Sequence, residues 1–316
     1  MGVSQKRVDG VARVVARAAS GDELFESLAT EIGKAIPYDG SMWFGVDPTT
    51  MLALGPGRTE NLGEAYCQPF WHGEFHEHDV NLFTELAAGP VVAATLHDAT
   101  EGRPTRSPRY RDFLQPQGYD DELRTVFRCG ENTWGVAALL REAGRAPFAA
   151  HEVQLFADIS ATVAAALRTL TTVAAPAAPL HAPGLMVFDR DDNLVSANAE
   201  ATRWLGDIYG TDDRDWFAAF GDASNVDVMV AVPIMPLLAR ARAITAGRQD
   251  GHARLRLRDR AGRWVVFHAS VLAGPGATDN VAVVVEPAKS SEIAPIIIDA
   301  YGLTPRERDV VRCLAH

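Results

Sequence analysis

The hydrophobic positions come in two kinds of period, helical and strand-like. In residues 22–36, Leu24, Leu28 and Ile32 recur at every fourth position, which lines one face of a helix; Asp22 stands where it can accept hydrogen bonds from the first exposed amides, and Pro37 ends the run. Apolar, strand-like runs follow at 41–46, 123–128 and 133–140. The last two flank Cys129-Gly130-Glu131-Asn132, a turn-forming tetrapeptide, and predict an antiparallel hairpin. Over 151–170 the helical period returns, with Leu155, Ile159, Val163 and Leu167 on one stripe and no internal Gly or Pro.

The pattern then breaks. Residues 171–182 carry prolines and small side chains without an amphipathic period, as suits a semi-rigid spacer. A second set of elements opens with a strand at 185–188, a polar turn at 189–193, a strand at 194–197, and a helix capped by Asn198 and stopped by Gly206. Runs at 252–258 and 263–271 predict another hairpin, and 281–285 a closing strand. The expected fold is therefore α+β: an N-terminal helix (1–21), a first domain (22–170), a linker (171–182), a second domain (183–288) and a terminal segment (289–316), each domain an antiparallel sheet with flanking helices.

Composition narrows the function. The 316 residues are 47% hydrophobic and 22% charged, enough apolar material for two cores. No apolar run approaches the roughly 18 residues of a membrane span, and the opening MGVSQKRVDG lacks a signal-peptide core, so the expectation is a cytoplasmic protein with no membrane association. A net charge of −11 repels a phosphate backbone, so residues 1–316 by themselves are expected to bind DNA poorly. The basic cluster Arg254, Arg256, Arg258, Arg260 and Arg263 alternates with Leu255 and Leu257, the period of a strand with one face in water, and without interleaved aromatics it reads as a solvated face before a nucleic-acid patch. Cys67, Cys129 and Cys313 are widely separated and form no C-x-x-C pair, so neither a disulfide framework nor a zinc ribbon is indicated and isolated reduced thiols are expected.

Three stretches carry resemblance. Tyr301-Gly302-Leu303-Thr304-Pro305-Arg306-Glu307-Arg308 resembles the opening of a LuxR-type helix-turn-helix domain, whose first helix begins with an L-T-x-R-E signature. In it Thr304 is expected to cap, Pro305 to take the first helical position, Glu307 to complete a capping box, and Val310, Val311 and Leu314 to form a buried face. The chain stops at His316, before the turn and the recognition helix. Residues 184–206, G-L-M-V-F-D-R-D-D-N-L-V-S-A-N-A-E-A-T-R-W-L-G, resemble a PAS domain. P-Y-D-G-S-M-W-F at 37–44, S-P-R-Y-R-D-F-L-Q-P at 107–116 and D-E-L-R-T-V-F-R at 121–128 resemble a GAF domain of LuxR-type regulators.

These resemblances imply the sensory part of a one-component transcription regulator. They imply an unidentified small-molecule ligand, DNA as a partner through the remainder of the helix-turn-helix domain (of which Leu303, Thr304, Arg306 and Glu307 are the start), and a homodimer. No cofactor and no enzymatic activity are expected. Ligand-lining candidates are Trp43, Phe70, Trp71 and Phe75 in the first domain and Asn198 and Trp204 in the second, the last two also reading as a helix cap and a core aromatic. Two helices, 8–19 (Val11, Val14, Val15, Ala18) and 151–170, are candidates for a dimer seam.

Two other classes remain open at this point. GAF and PAS pairs also precede kinase or phosphatase domains, although L-T-P-R-E belongs to neither output. Cys67, His72, His76, His78 and Asp79 supply metal-ligating groups within a short span, but His72-Gly73-Glu74-Phe75-His76 is not H-E-x-x-H and Gly73 weakens a helix there. The carboxylates at Asp120–Glu122 and Asp212–Asp213 read as solvated turn residues.

Overall fold

A computed structural model describes residues 3–62, 67–171, 181–210, 214–221, 233–274, 279–301, 303 and 305–315. The linker residues 172–180, Asp212, Asp213 and Thr304 lie outside them. The chain is α+β and divides into two compact units, Met1–Leu170 and Thr171–His316.

In the first unit, helices α1 (Val3–Val15) and α2 (Gly21–Ala35) precede strands β1 (Gly40–Val46) and β2 (Ala53–Glu60). Helices α3 (Cys67–His76), α4 (Phe83–Ala88) and α5 (Leu96–Ala99), with the short strand β3 (Ala93–Thr95), lead through helical turns at 104–117 into β4 (Tyr119–Cys129) and β5 (Asn132–Glu142), and α6 (Ala150–Leu170) closes the unit. The antiparallel sheet has the order β2-β1-β5-β4-β3. The cap of α2 is Ser20, not Asp22: Ser20 Oγ accepts from the Glu23 amide at 3.2 Å, and Glu23 reaches back to the Ala19 amide at 2.9 Å. Asp22 sits in the first turn, where its charge complements the helix dipole.

Helix α6 is the expected long helix, and its stripe Leu155, Ile159, Val163 and Leu167 is buried. That stripe packs on its own sheet: a Cβ on Gly135 would lie 2.6 Å from Leu167 Cδ1. It is therefore not free to form a dimer seam. Among the described residues α6 is also long and apolar enough to cross a membrane by length and composition, which corrects the expectation that no run qualifies; its buried stripe is that of a core helix.

In the second unit the sheet order is β7-β6-β10-β9-β8. Its strands are β6 (Gly184–Phe188), β7 (Leu194–Ala197), β8 (Ala253–Arg258), β9 (Trp264–Val271) and β10 (Val281–Pro287). The helices are α7 (Ala199–Tyr209), α8 (Trp216–Ala219), α9 (Ile234–Thr245), α10 (Ser290–Tyr301) and α11 (Pro305–Ala315). Helix α7 runs through Gly206, which is buried, and ends at Gly210, whose left-handed φ of 73° a side chain would strain. Gly184 lets α7 lie directly on β6, since a Cβ there would come within 2.6 Å of Ala201 Cα.

The arginine-bearing face of β8 is not a solvated face. Arg256 is fully buried, and its Nη1 donates to the main-chain oxygen of Glu292 in α10 at 2.8 Å. Pro295 lies inside α10 and cannot donate an amide hydrogen to the turn before it; Arg256 supplies a donor to a carbonyl of that loosened turn. The Glu292 carboxylate meanwhile accepts from the Lys289 amide at 2.9 Å and pairs with His268 at 3.3 Å.

Candidate functional site

The pleat of the first sheet separates its aromatic residues. Trp43 stacks over Phe127 at 6.3 Å and meets Phe156 of α6 at 6.4 Å, so it belongs to the face covered by α6. Its neighbour Phe44 points the other way and meets Trp71 of α3 at 5.9 Å. Phe70, Trp71 and Phe75 form one cluster there, with Phe70–Trp71 at 4.9 Å, Trp71–Phe75 at 6.1 Å and Phe70–Phe113 at 5.3 Å. Three of the four candidate lining residues are thus brought together, and Trp43 is not among them. All four are buried.

The same face carries a buried ionic layer, of which the sequence reading had picked out only Asp79, as a metal-ligating group, and Glu122, as a solvated turn residue. Glu122 and Arg124, two apart on β4, share that face. Arg124 Nη2 donates to Glu74 Oε2 at 2.8 Å, Nη1 donates to the Asn81 carbonyl at 3.0 Å, and its guanidinium lies 3.7 Å from the Phe83 ring centroid. Arg109 Nε donates to Glu122 Oε2 at 2.9 Å and its Nη2 to the Val80 carbonyl at 3.1 Å, with Asp79 at 3.5 Å from Nη1. Glu74 Oε1 caps α4 by accepting from the Phe83 amide at 2.6 Å. Every side chain in these pairs is at most 3% exposed.

Burial would push the Arg109 guanidinium down, but Glu122, Asp79 and Glu74 outweigh it and hold its pKa above the ordinary value. Two atoms are left over. Glu122 Oε1 and Arg124 Nε are 3.6 Å apart, too far for a hydrogen bond, and neither has another hydrogen-bond partner.

The expectation that Asp120–Glu122 lies in a solvated turn is therefore overturned, because these residues open β4: Asp121 is buried and accepts from the Phe148 amide at 2.8 Å, and burial raises its pKa. The signal that could have found the layer was the pair Glu122 and Arg124 at a two-residue spacing inside an otherwise apolar strand. Gly73 is helical, contrary to the sequence reading, and is buried, yet a Cβ added to it would meet no described atom within 4 Å.

The proposed metal cluster does not assemble. Asp79 turns into the ionic layer, accepting from Ser107 Oγ and the Arg109 amide, both at 2.8 Å, while His72 and His76 stack on each other at 4.6 Å. Among the described residues no three His, Cys, Asp or Glu groups converge as metal ligands would; the Cys67 side chain lies outside them.

In the second unit Asn198 caps α7, its Oδ1 accepting from the Ala201 and Leu185 amides, each at 2.9 Å. Trp204 is fully buried and its Nε1 donates to the Ala182 carbonyl at 2.9 Å. Of the terminal signature, Pro305 starts α11, Arg306 and Glu307 are exposed on it, and the Leu303 carbonyl accepts from Arg308 Nε at 2.8 Å. Val310, expected on a buried face, is 59% exposed.

No family model and no curated protein matches the chain. Among solved structures, the GAF domain of a phosphoenolpyruvate-protein phosphotransferase from Coxiella burnetii is similar at 13% identity, over 52% of this chain and 92% of that one, with a TM-score of 0.35. The sensor region of a sensor histidine kinase is similar at 15% identity (58% of this chain, 69% of that one, TM-score 0.21). A crystal structure of the E. coli DhaR(N)–DhaL complex is similar at 11% identity over 91% of each chain, with a TM-score of 0.22. Likenesses at such scores assign no function to this chain.

Proposed function

We propose that the chain is the sensory part of a one-component transcription regulator of LuxR type, in which the GAF-like first unit takes up a small molecule and thereby controls an attached DNA-binding domain. The observation that supports the sensing role is the unpaired acceptor and donor, Glu122 Oε1 and Arg124 Nε, buried beside the Phe70, Trp71 and Phe75 cluster. A ligand that both donates and accepts a hydrogen bond, with an aromatic or other apolar body, would complete both atoms and stack in the cluster. No described atom lies within 4 Å of a Cβ placed on Gly73, on the helix that bears Phe70, Trp71 and Phe75, and the proposed ligand would lie on that side.

The L-T-P-R-E segment favours a DNA-binding output over a kinase or phosphatase. Helix α6 covers one face of the first sheet and α1 packs against α6 and α2; on α6 the side away from the sheet, with Ala157, Ala161 and Thr162 exposed, is the surface offered to a second copy. The protein acts as a homodimer reading paired half-sites, and not as an enzyme.

The test is a thermal-shift screen of small aromatic alcohols, phenols and amides against the chain and its Gly73→Leu variant. Compounds that stabilise the first and not the second locate the site. Stabilisation unaffected by Gly73→Leu and by Glu122→Gln would remove this reading. For the output, a hit should change operator retention by the chain extended through its complete helix-turn-helix domain; unchanged retention would leave sensing intact and remove the transcriptional role.

A further inference from the structure

The second unit holds a cavity of about 430 Å³ at the outer edge of its sheet, lined among others by Ile244, Thr245, His252, Arg254, His268 and Ser270. It arises where β8 stops short. The β8–β9 ladder ends at Ala253 opposite Ala269, whereas β9 continues to Val271 and pairs there only with β10. Gly251, at a φ of 95°, turns the chain away, so Ser270 and Val271 face a gap rather than a neighbouring strand.

The side chains around the gap are cationic or donors. Arg254 and His268 are directly opposite each other in the ladder, and His252, just before β8, lines the same gap. The acidic neighbour Glu292 is already held by His268 at 3.3 Å and by the Lys289 amide at 2.9 Å. The Arg254 side chain takes no hydrogen bond or ion pair among the described residues, and its Nε is buried without a partner. A guanidinium in that position lacks the planar acceptor its fork geometry matches. Ile244, Ala253, Ala269 and Val271 are apolar and line the same gap, the three strand residues from the other face of the sheet.

We propose that this cavity binds the oxyanion of a small molecule, a carboxylate or a phosphate, with Arg254 as the bidentate partner, His252 and Ser270 as supporting donors, and the apolar residues against a short ligand body. The site belongs to the second unit and stands independently of the ligand site proposed in the first. Calorimetric titration of the chain at constant ionic strength, with inorganic phosphate in one arm and butyrate in the other, separates the two chemistries. Saturable binding that weakens about ten- to a hundred-fold in Arg254→Met, the loss of a charge-assisted hydrogen bond, supports the site, and the arm that binds tighter assigns the anion. Arg254→Lys should retain part of the affinity, and Arg190→Met, an exposed control, all of it. If Arg254→Met fails to fold, Arg254→Lys and His252→Gln carry the test. Binding of neither anion at millimolar concentration, or binding unchanged in these variants, overturns the proposal.

Discussion

Replacing Arg124 by Met tests the ionic layer most directly. Glu74, Asp79 and Glu122 place three carboxylates against the two guanidinia of Arg109 and Arg124, and none of the five side chains is more than 3% exposed. Met keeps much of the apolar stem but removes the pairing to Glu74 and the donor to Asn81, leaving three buried carboxylates with one cation. Breaking a buried pair by deleting one partner costs about 3–5 kcal/mol, because the survivor stays desolvated and unpaired. Glu122→Gln moves the balance the other way, to two carboxylates and two guanidinia, and keeps an amide oxygen for Arg109 Nε; the cost is about 1–3 kcal/mol. The double variant Glu74→Gln/Arg124→Met should cost less than the sum of its parts. Because two compact units need not unfold together, the assay is hydrogen exchange across 119–142 in rising denaturant, which reports the first unit alone. A loss below about 1 kcal/mol for Arg124→Met would show that water already solvates the layer, and the account of it would fail.

Further outcomes rest on single contacts. Gly184→Ala should lower stability by about 1–3 kcal/mol in thermal unfolding, since the new methyl meets the main chain of Ala201, whereas Gly73→Ala, which meets open space within a helix, should raise it by about 0.5–1 kcal/mol. Burial, with Glu60 accepting its hydrogen bond, pushes the Tyr38 hydroxyl up to about 12. The folded chain therefore holds a proton that the unfolded chain releases near pH 10, and the stability present below about pH 10 is lost as pH rises through 12; Tyr38→Phe should flatten that slope, and tyrosinate absorbance rising in one step near pH 10 would contradict it. Leu167→Glu should unfold the first unit rather than split a dimer, since the side chain is 6% exposed, while Ala161→Arg on the outer side of α6 should keep the fold and yield monomers by light scattering.

The elements that could be read from the sequence were those whose side chains follow one period. The β4–β5 hairpin is marked by its turn tetrapeptide and the apolar run of β5, and α6 is long and free of internal Gly or Pro. Strand β2 was missed because A-L-G-P-G-R-T-E contains Gly and Pro in its middle; the strand lies at the sheet edge, and the ladder shifts between the Leu54 and Gly57 pairings, where a residue without an amide hydrogen is tolerated. β3 is three residues long and has no period at all. The helix ends at Ser20 and Gly210 were misplaced onto Asp22 and Gly206 because in each case two competent residues stand a turn or so apart, and packing decides between them. For the site, the aromatic residues were legible as types, but the pleat that sends Trp43 to one face and Phe44 to the other was decided by pairing. The partners of Glu122 and Arg124 lie between 13 and 50 residues away along the chain, beyond the reach of any local pattern.

The grip of Arg256 on the Glu292 carbonyl makes the start of α10 a pin joint. The first turn cannot slide along the sheet without pulling the Glu292 carbonyl off a fully buried cation, whereas at the far end of the same helix the Tyr301 side chain is 62% exposed. With Ile296, Ile298 and Ala300 buried as well, the helix follows β8 as one rod, and a tilt of β8 becomes a sweep at its far end. Leu303, whose amide donates to the Ile298 carbonyl at 3.4 Å, carries that sweep into α11. The lever arm is set by the twelve residues of α10, about 18 Å of helix, so lengthening that helix by one residue would turn α11 about the axis by roughly 100°.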